Sequence, residues 1–328
     1  MTAIRLARRA LLAPLCVVIT ILFVVAGSAG PAAAQARSTS VSPVPVCVTK
    51  QPAHERRAAR IARAVDAAIR TRFTSSDPSY NPFDHVGVAV HDGYLGLDCW
   101  YHMRQHFYSA SAVKAIILAA LLLKAQKQHR HLTVRETADA WKMITQSNNA
   151  AATRLWNDVG LRWLQHFLDL AGMKATKLNP YWGLTVITAN NETLLLRLLM
   201  THGRVLTDVS RRYELYLMHH VIAAEAWGVR AGAPKLFSWH IKNGWAPLLS
   251  SAWTVNSIGC FTDKVRGYTI VALTDDNPGA GPDYGIATIE AIARVINHDL
   301  NPGAVAVWPG SQPRPSWQIP DDVVPARG

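Results

Sequence analysis

Residues 115–123, Ala-Ile-Ile-Leu-Ala-Ala-Leu-Leu-Leu, follow Ser111-Ala112-Val113-Lys114 without a single polar side chain. A helix that is apolar all round has no face to offer to water, so it must lie at the centre of a domain with other elements packed about it. The chain can supply that surrounding. It has 328 residues, 49% apolar and 17% charged, which excludes disorder, collagen and coiled coil. The same helix begins with two groups foreign to a core. Ser111 and Lys114 are three apart and share a face, with about 5–6 Å between Cβ atoms. Desolvation favours a neutral lysine, able to take the serine proton. The Ser111 amide, in the first turn, lacks an intrahelical acceptor and can point at a developing oxyanion. A chain this long shows roughly one Ser-x-x-Lys by chance, and a capping serine beside a snorkelling lysine would account for one. Here it is the only instance.

The remaining pattern fixes the element order. Apolar residues at helical spacing across 54–73 predict an amphipathic first helix. Residues 86–91 and 94–101 read as strands joined at Asp92-Gly93, a hairpin signal. Residues 111–202 are helical in pattern, with breaks at 128–132, at Gly160 and across 171–188. A further helix is expected over 211–224, strands over 236–243, 251–261 and 267–274, and a closing helix over 283–298. This order predicts an α/β (α+β) fold: a five-stranded antiparallel sheet flanked by its terminal helices, with an inserted all-helical subdomain at about 103–225. The domain is expected to cover 53–303. Residues 37–52 read as a linker, and 304–328, rich in proline, as a flexible tail.

The first 36 residues have the pattern of a secretory signal peptide: Arg5, Arg8 and Arg9, an apolar run over 11–26, and small residues at Ala34 and Ala36 for cleavage. Retention as an anchor is the alternative. The expected location is secreted or in the cell envelope, with no stable membrane insertion after cleavage. Losing three arginines and no acid lowers the formal charge from +12 to +9. That charge is scattered and forms no nucleic-acid module, so no nucleic-acid partner is expected. Cys47, Cys99 and Cys260 then remain. Cys260 lies in an apolar strand-like run, which leaves Cys47 with Cys99 as the preferred disulfide in an exported chain.

Two more clusters could join Ser111 and Lys114. Ser147-Asn148-Asn149 sits between helical runs, where a turn would hold polar groups toward the domain centre; an ordinary N-cap would look the same. Lys242-Asn243-Gly244-Trp245 ends the first strand after the helical block. A glycine there permits close backbone approach, and a lysine at a strand edge can meet a carboxylate; a strand ending in an Asn-Gly turn is the plainer reading.

In this order and on these elements, the three clusters resemble the S-x-x-K, S-x-N and K-T-G signatures of the penicillin-recognising serine hydrolases, most of all class A β-lactamases. The likeness extends through Phe107-Tyr108-Ser109-Ala110-Ser111 and through Leu132-Thr133-Val134-Arg135-Glu136 to Ala151, and spans about residues 54–298. It implies Ser111 as the acylated nucleophile, Lys114 as its activator and Ser147 as proton relay to the leaving nitrogen. Asn149 would hold the substrate amide and Lys242 the substrate carboxylate, and the Ser111 and Trp245 amides would form the oxyanion hole. Two departures stand out. Asn243 replaces the usual Thr or Ser, putting an amide where the substrate carboxylate would meet a hydroxyl beside Gly244. Class A enzymes also deacylate with a loop glutamate, yet residues 171–190 contain no acid. Asp169 and Glu192, the nearest, are expected on helix surfaces. Without a base for water the acyl-enzyme should be long-lived.

The expected function is therefore an exported serine hydrolase acting on β-lactams or peptidoglycan stem peptides, a monomer without metal or other cofactor. The alternatives are a cell-wall-binding protein of the same fold with little turnover, and a glutaminase-like amidohydrolase. Trp182, Trp227 and Trp245 are candidates to line a cleft.

Overall fold

A computed structural model describes residues 44–72, 81–247 and 252–306. The predicted signal peptide and most of the predicted tail lie outside them. Helix α1 (Glu55–Arg70) follows strand β1 (Val46–Thr49) and precedes β2 (Val86–Asp92), β3 (Leu97–Tyr101) and the two-residue β4 (Phe107–Tyr108). The helical block comprises α2 (Val113–Lys127), α3 (Val134–Thr145), α4 (Asn149–Val159) and α5 (Leu161–Ala171). The short β5 (Val186–Ile187), α6 (Ala189–Met200) and α7 (Asp208–His219) come next. Strands β6 (Ser238–Pro247), β7 (Trp253–Thr262) and β8 (Gly267–Asn277) then lead into α8 (Asp283–Leu300).

The main sheet runs β1-β3-β2-β8-β7-β6, and every pairing in it is antiparallel. Alternation along the strands divides the core in two. Val88, Val90 and Ile270 face α1 and α8, meeting Ile61, Ile69, Ile289 and Ile296. Ala89, Val271 and Ile258 face the helical block and meet the buried flank of α2. Helix α1 buries Ala58, Ile61, Val65, Ala68 and Ile69, one stripe at helical spacing. Helix α2 buries every residue from Val113 to Leu123 and touches α3, α4, α5 and α7, the central place that its sequence demands.

The sheet has six strands where five were expected. The additional one, β1, comes from the stretch read as linker. It pairs with β3 so that Cys47 faces Cys99, and the two are joined by a disulfide, while Cys260 is free and buried. Val46 and Val48 are exposed; a four-residue edge strand with so little buried area depends on pairing and covalent attachment rather than on a hydrophobic face. The β2–β3 connection is also longer than a two-residue turn. Asp92 is fully buried, accepts from the Leu95 amide (2.9 Å) and pairs with Arg266, and the loop closes through Gly96 at φ +57°. At the other end, residues expected to begin a free tail return to the domain, since Lys235 N–H donates to Val305 O and Pro234 bridges Ala306.

Candidate active site

The turn into α2 carries the first pair. Ser111 lies in a 3-10 turn, Ala110–Ala112, and Lys114 is in the first turn of α2 with no exposed surface. Ala110 adopts φ +43° and Ser147 φ +52°, a left-handed conformation that costs a non-glycine residue about 1–2 kcal/mol. Both residues border the site, where such strain is retained because surrounding contacts hold it.

The second and third clusters converge on the first. Asn148 caps α4 by accepting from the Ala151 amide (2.9 Å), which leaves Ser147 and Asn149 turned to Lys114. Lys114 Nζ donates to Ser147 O (2.6 Å), Ser147 Oγ (3.3 Å) and Asn149 Oδ1 (2.5 Å). Lys242 Nζ, from β6, donates to the same Ser147 Oγ (2.9 Å) and to Asn243 O (2.8 Å). One hydroxyl thus bridges two buried lysines from two elements. Burial pulls the Lys242 ammonium down to about 8, against the pull of Glu225.

Gly244 explains how β6 reaches the serine. A Cβ there would lie 2.5 Å from Ala112 N, and 2.7 Å from both Ser109 O and Ser111 N. Only a glycine lets the strand backbone pack on the turn that carries Ser111. Gly244→Ala is expected to destabilise the fold by about 1–3 kcal/mol, the usual cost of overpacking, measured as a lowered urea midpoint. An unchanged midpoint would mean that the strand moves aside freely.

Alternation along β6 corrects the expectation for Asn243. Lys242 and Gly244 face α2, so Asn243 faces the other way and is 1% exposed. Its Nδ2 donates to Glu225 O (2.7 Å) and Trp227 O (3.1 Å), and its Oδ1 accepts from Ser257 Oγ (2.6 Å). The amide fastens residues 225–227 to the strand and has no free group for a substrate. Trp245 is half-buried on that same far face, its ring 5.6 Å from that of buried Trp227; neither indole lines a cleft beside Ser111.

Trp182 does reach the site. In a 3-10 turn of the acid-free stretch, it donates Nε1–H to Thr153 Oγ1 (3.0 Å) and sets its ring 4.7 Å from Lys114 Nζ. An indole face lies against the lysine, a cation–π contact. Asp169 is on the surface as expected, bonded to Gln165. Glu192 is not. Helix α6 packs on β2, β7 and β8, and the Glu192 carboxyl is fully buried with no hydrogen-bond partner among the described residues.

That burial pushes Glu192 up to about 8 from its ordinary 4.5. The unfolded chain therefore releases this proton at lower pH than the folded chain does, and stability falls as pH rises from 4.5 toward 8. At pH 7 the loss is about 3 kcal/mol. Glu192→Gln is expected to recover roughly that much at pH 7 and nothing at pH 4, read from urea unfolding at the two values. An equal effect at both would show that ionisation is not the cause.

Glu225 was not foreseen. Its carboxylate Oε2 stands 4.0 Å from Lys242 Nζ, both side chains buried. Glu225 is the only acid between Glu214 and Asp263.

An antiparallel sheet between paired terminal helices and a helical block, with Ser111, Lys114, Ser147 and Lys242 gathered at their junction, defines a β-lactamase-like serine hydrolase fold. The family model described as the β-lactamase enzyme family matches residues 123–300, over half of the sequence, and the chain belongs to that family. The match begins after Ser111 and Lys114. Among solved structures, the β-lactamase from Sphaerobacter thermophilus DSM 20745 is 19% identical, with TM-score 0.60, and the alignment covers 73% of this chain and 96% of that one. PBP-A is 17% identical with TM-score 0.59 and the same coverages. A PBP-A mutant described as an acyl-enzyme complex with penicillin G gives the same values. No curated protein matches.

Proposed function

We propose that this protein is an exported serine hydrolase that forms an acyl-enzyme on Ser111 with β-lactams or peptidoglycan stem peptides and releases it slowly. The observation that carries this reading is the Ser147 hydroxyl held by both Lys114 and Lys242. In the proposed reaction Lys114 takes the Ser111 proton as Oγ attacks the substrate carbonyl. The oxyanion meets the Ser111 and Trp245 amides, and the tetrahedral carbon collapses with cleavage of its bond to nitrogen. Ser147 delivers its hydroxyl proton to that nitrogen and is reprotonated by Lys114, which passes on the proton taken from Ser111, while Lys242 holds the Ser147 oxygen. Lys242 also attracts the substrate carboxylate, and Asn149 holds the substrate amide. The signal-peptide pattern of residues 1–36 supports export.

Incubation of the secreted form with a fluorescent penicillin, followed by intact mass, tests the proposal. One equivalent of adduct is expected, mapped by peptide digestion to Ser111. No adduct at any concentration would instead favour a wall-binding protein on the same fold.

A further inference from the structure

The fold brings Glu225 against the lysine pair from a segment remote in sequence. It closes the 3-10 turn Ala223–Glu225, which is anchored where Ile222 N–H donates to Thr145 O (2.9 Å). Its own carbonyl receives Asn243 Nδ2 (2.7 Å), so the turn is tied to β6 beside Lys242. The carboxylate lies 4.0 Å from Lys242 Nζ, and Oε2 has no hydrogen-bond partner among the described residues. It therefore faces Lys242 rather than being spent on a local hydrogen bond. On the other side, Lys242 and Lys114 both donate to Ser147 Oγ. A second amine on the same hydroxyl, out of water, disfavours protonation of Lys242 whenever it is itself charged.

We propose that Glu225 is a positioning residue that acts through Lys242: its carboxylate keeps Lys242 an ammonium at neutral pH, able to hold Ser147 Oγ and to receive an anionic group of the substrate. The inference rests on the acyl-transfer reading of the site. Burial raises the Glu225 carboxyl above its ordinary value, and the charged groups acting on it, Lys242 of β6 and Lys114 of α2, pull against that rise. Glu290 of α8, which approaches the neighbouring Gly228 amide, is already paired with Arg294. The residues fastening the turn, Asn243, Trp227 and Thr145, carry no charge. Glu225 is thus the acid through which Lys242 resists the pull of burial.

The experiment is a titration of the whole protein labelled with [13C]lysine, following the Lys242 Cε resonance, which is identified by its loss in Lys242→Arg. In Glu225→Gln the Lys242 midpoint is expected to fall by about one pH unit or more, the effect of removing an opposite charge at this distance. The alkaline limb of the penicillin acylation rate should move down with it. A midpoint equal to wild type in a folded Glu225→Gln protein overturns the proposal. Should that variant not fold, Glu225→Asp keeps the charge but shortens its reach; a smaller fall is expected, and no fall overturns the proposal equally. The titration needs no substrate. A wild-type protein that forms no penicillin adduct would sink the acyl-transfer reading while the Glu225→Gln midpoint still decides whether Glu225 sets the charge of Lys242. An adduct with an unmoved midpoint would sink this proposal alone.

Discussion

Ser111→Ala is expected to abolish covalent labelling by penicillin and any hydrolysis, leaving a folded protein. No other serine in the chain has a lysine three residues on, and this one stands in the turn against which Gly244 packs. The change removes one oxygen from a side chain that is 7% exposed, so it opens little cavity and should spare the fold. Lys114→Ala should cost nearly as much activity, because an unassisted hydroxyl is a poor nucleophile at neutral pH. It also removes three hydrogen bonds that hold Ser147 and Asn149, so its melting temperature should fall while that of Ser111→Ala should not. Mass spectrometry of each variant after incubation with penicillin is the measurement. Label persisting on Ser111→Ala would refute the assignment, and near-normal acylation of Lys114→Ala would return that lysine to a packing role.

What the sequence disclosed, and what it hid, follows from the range of the forces involved. Helix α2 could be read because nine apolar residues in succession leave one place for a helix, and the three polar clusters because each is local. Strand β1 could not, since its pairing with β3 depends on a partner fifty residues away and on a disulfide. For Asn243 the signal existed and was misread: on a strand, the neighbour of a lysine that faces the site must face away from it. Glu192 was similar, for it lies on one helical stripe with Leu195, Leu196 and Leu199, all buried. Glu225 is a different case. Nothing in Ala223-Ala224-Glu225-Ala226 says that Lys242 lies beside it; the hydrogen bonds from Asn243 bring the two together.

Turnover of a chromogenic cephalosporin should show a burst near one equivalent followed by a very slow phase. In the proposed reaction, attack and ring opening call on Ser111, Lys114, Ser147 and Lys242, none of which comes from the acid-free residues 171–190. Hydrolysis of the resulting ester needs a polarised water, and general-base assistance typically contributes 10²–10⁴-fold, about 3–5 kcal/mol of barrier. The side chain that this stretch sets against Lys114 is the indole of Trp182, which cannot take a proton from water and which covers that side of the lysine. Glu192 is no substitute at neutral pH, because a carboxyl pushed up to about 8 still holds its proton there. Glu225 is engaged with Lys242. The acyl-enzyme should therefore accumulate, and the burst amplitude should equal the Ser111 adduct counted by mass. Fast linear turnover without a burst would show that a base reaches the ester after all. A steep rise of that turnover through pH 8, lost in Glu192→Gln, would name Glu192 as that base.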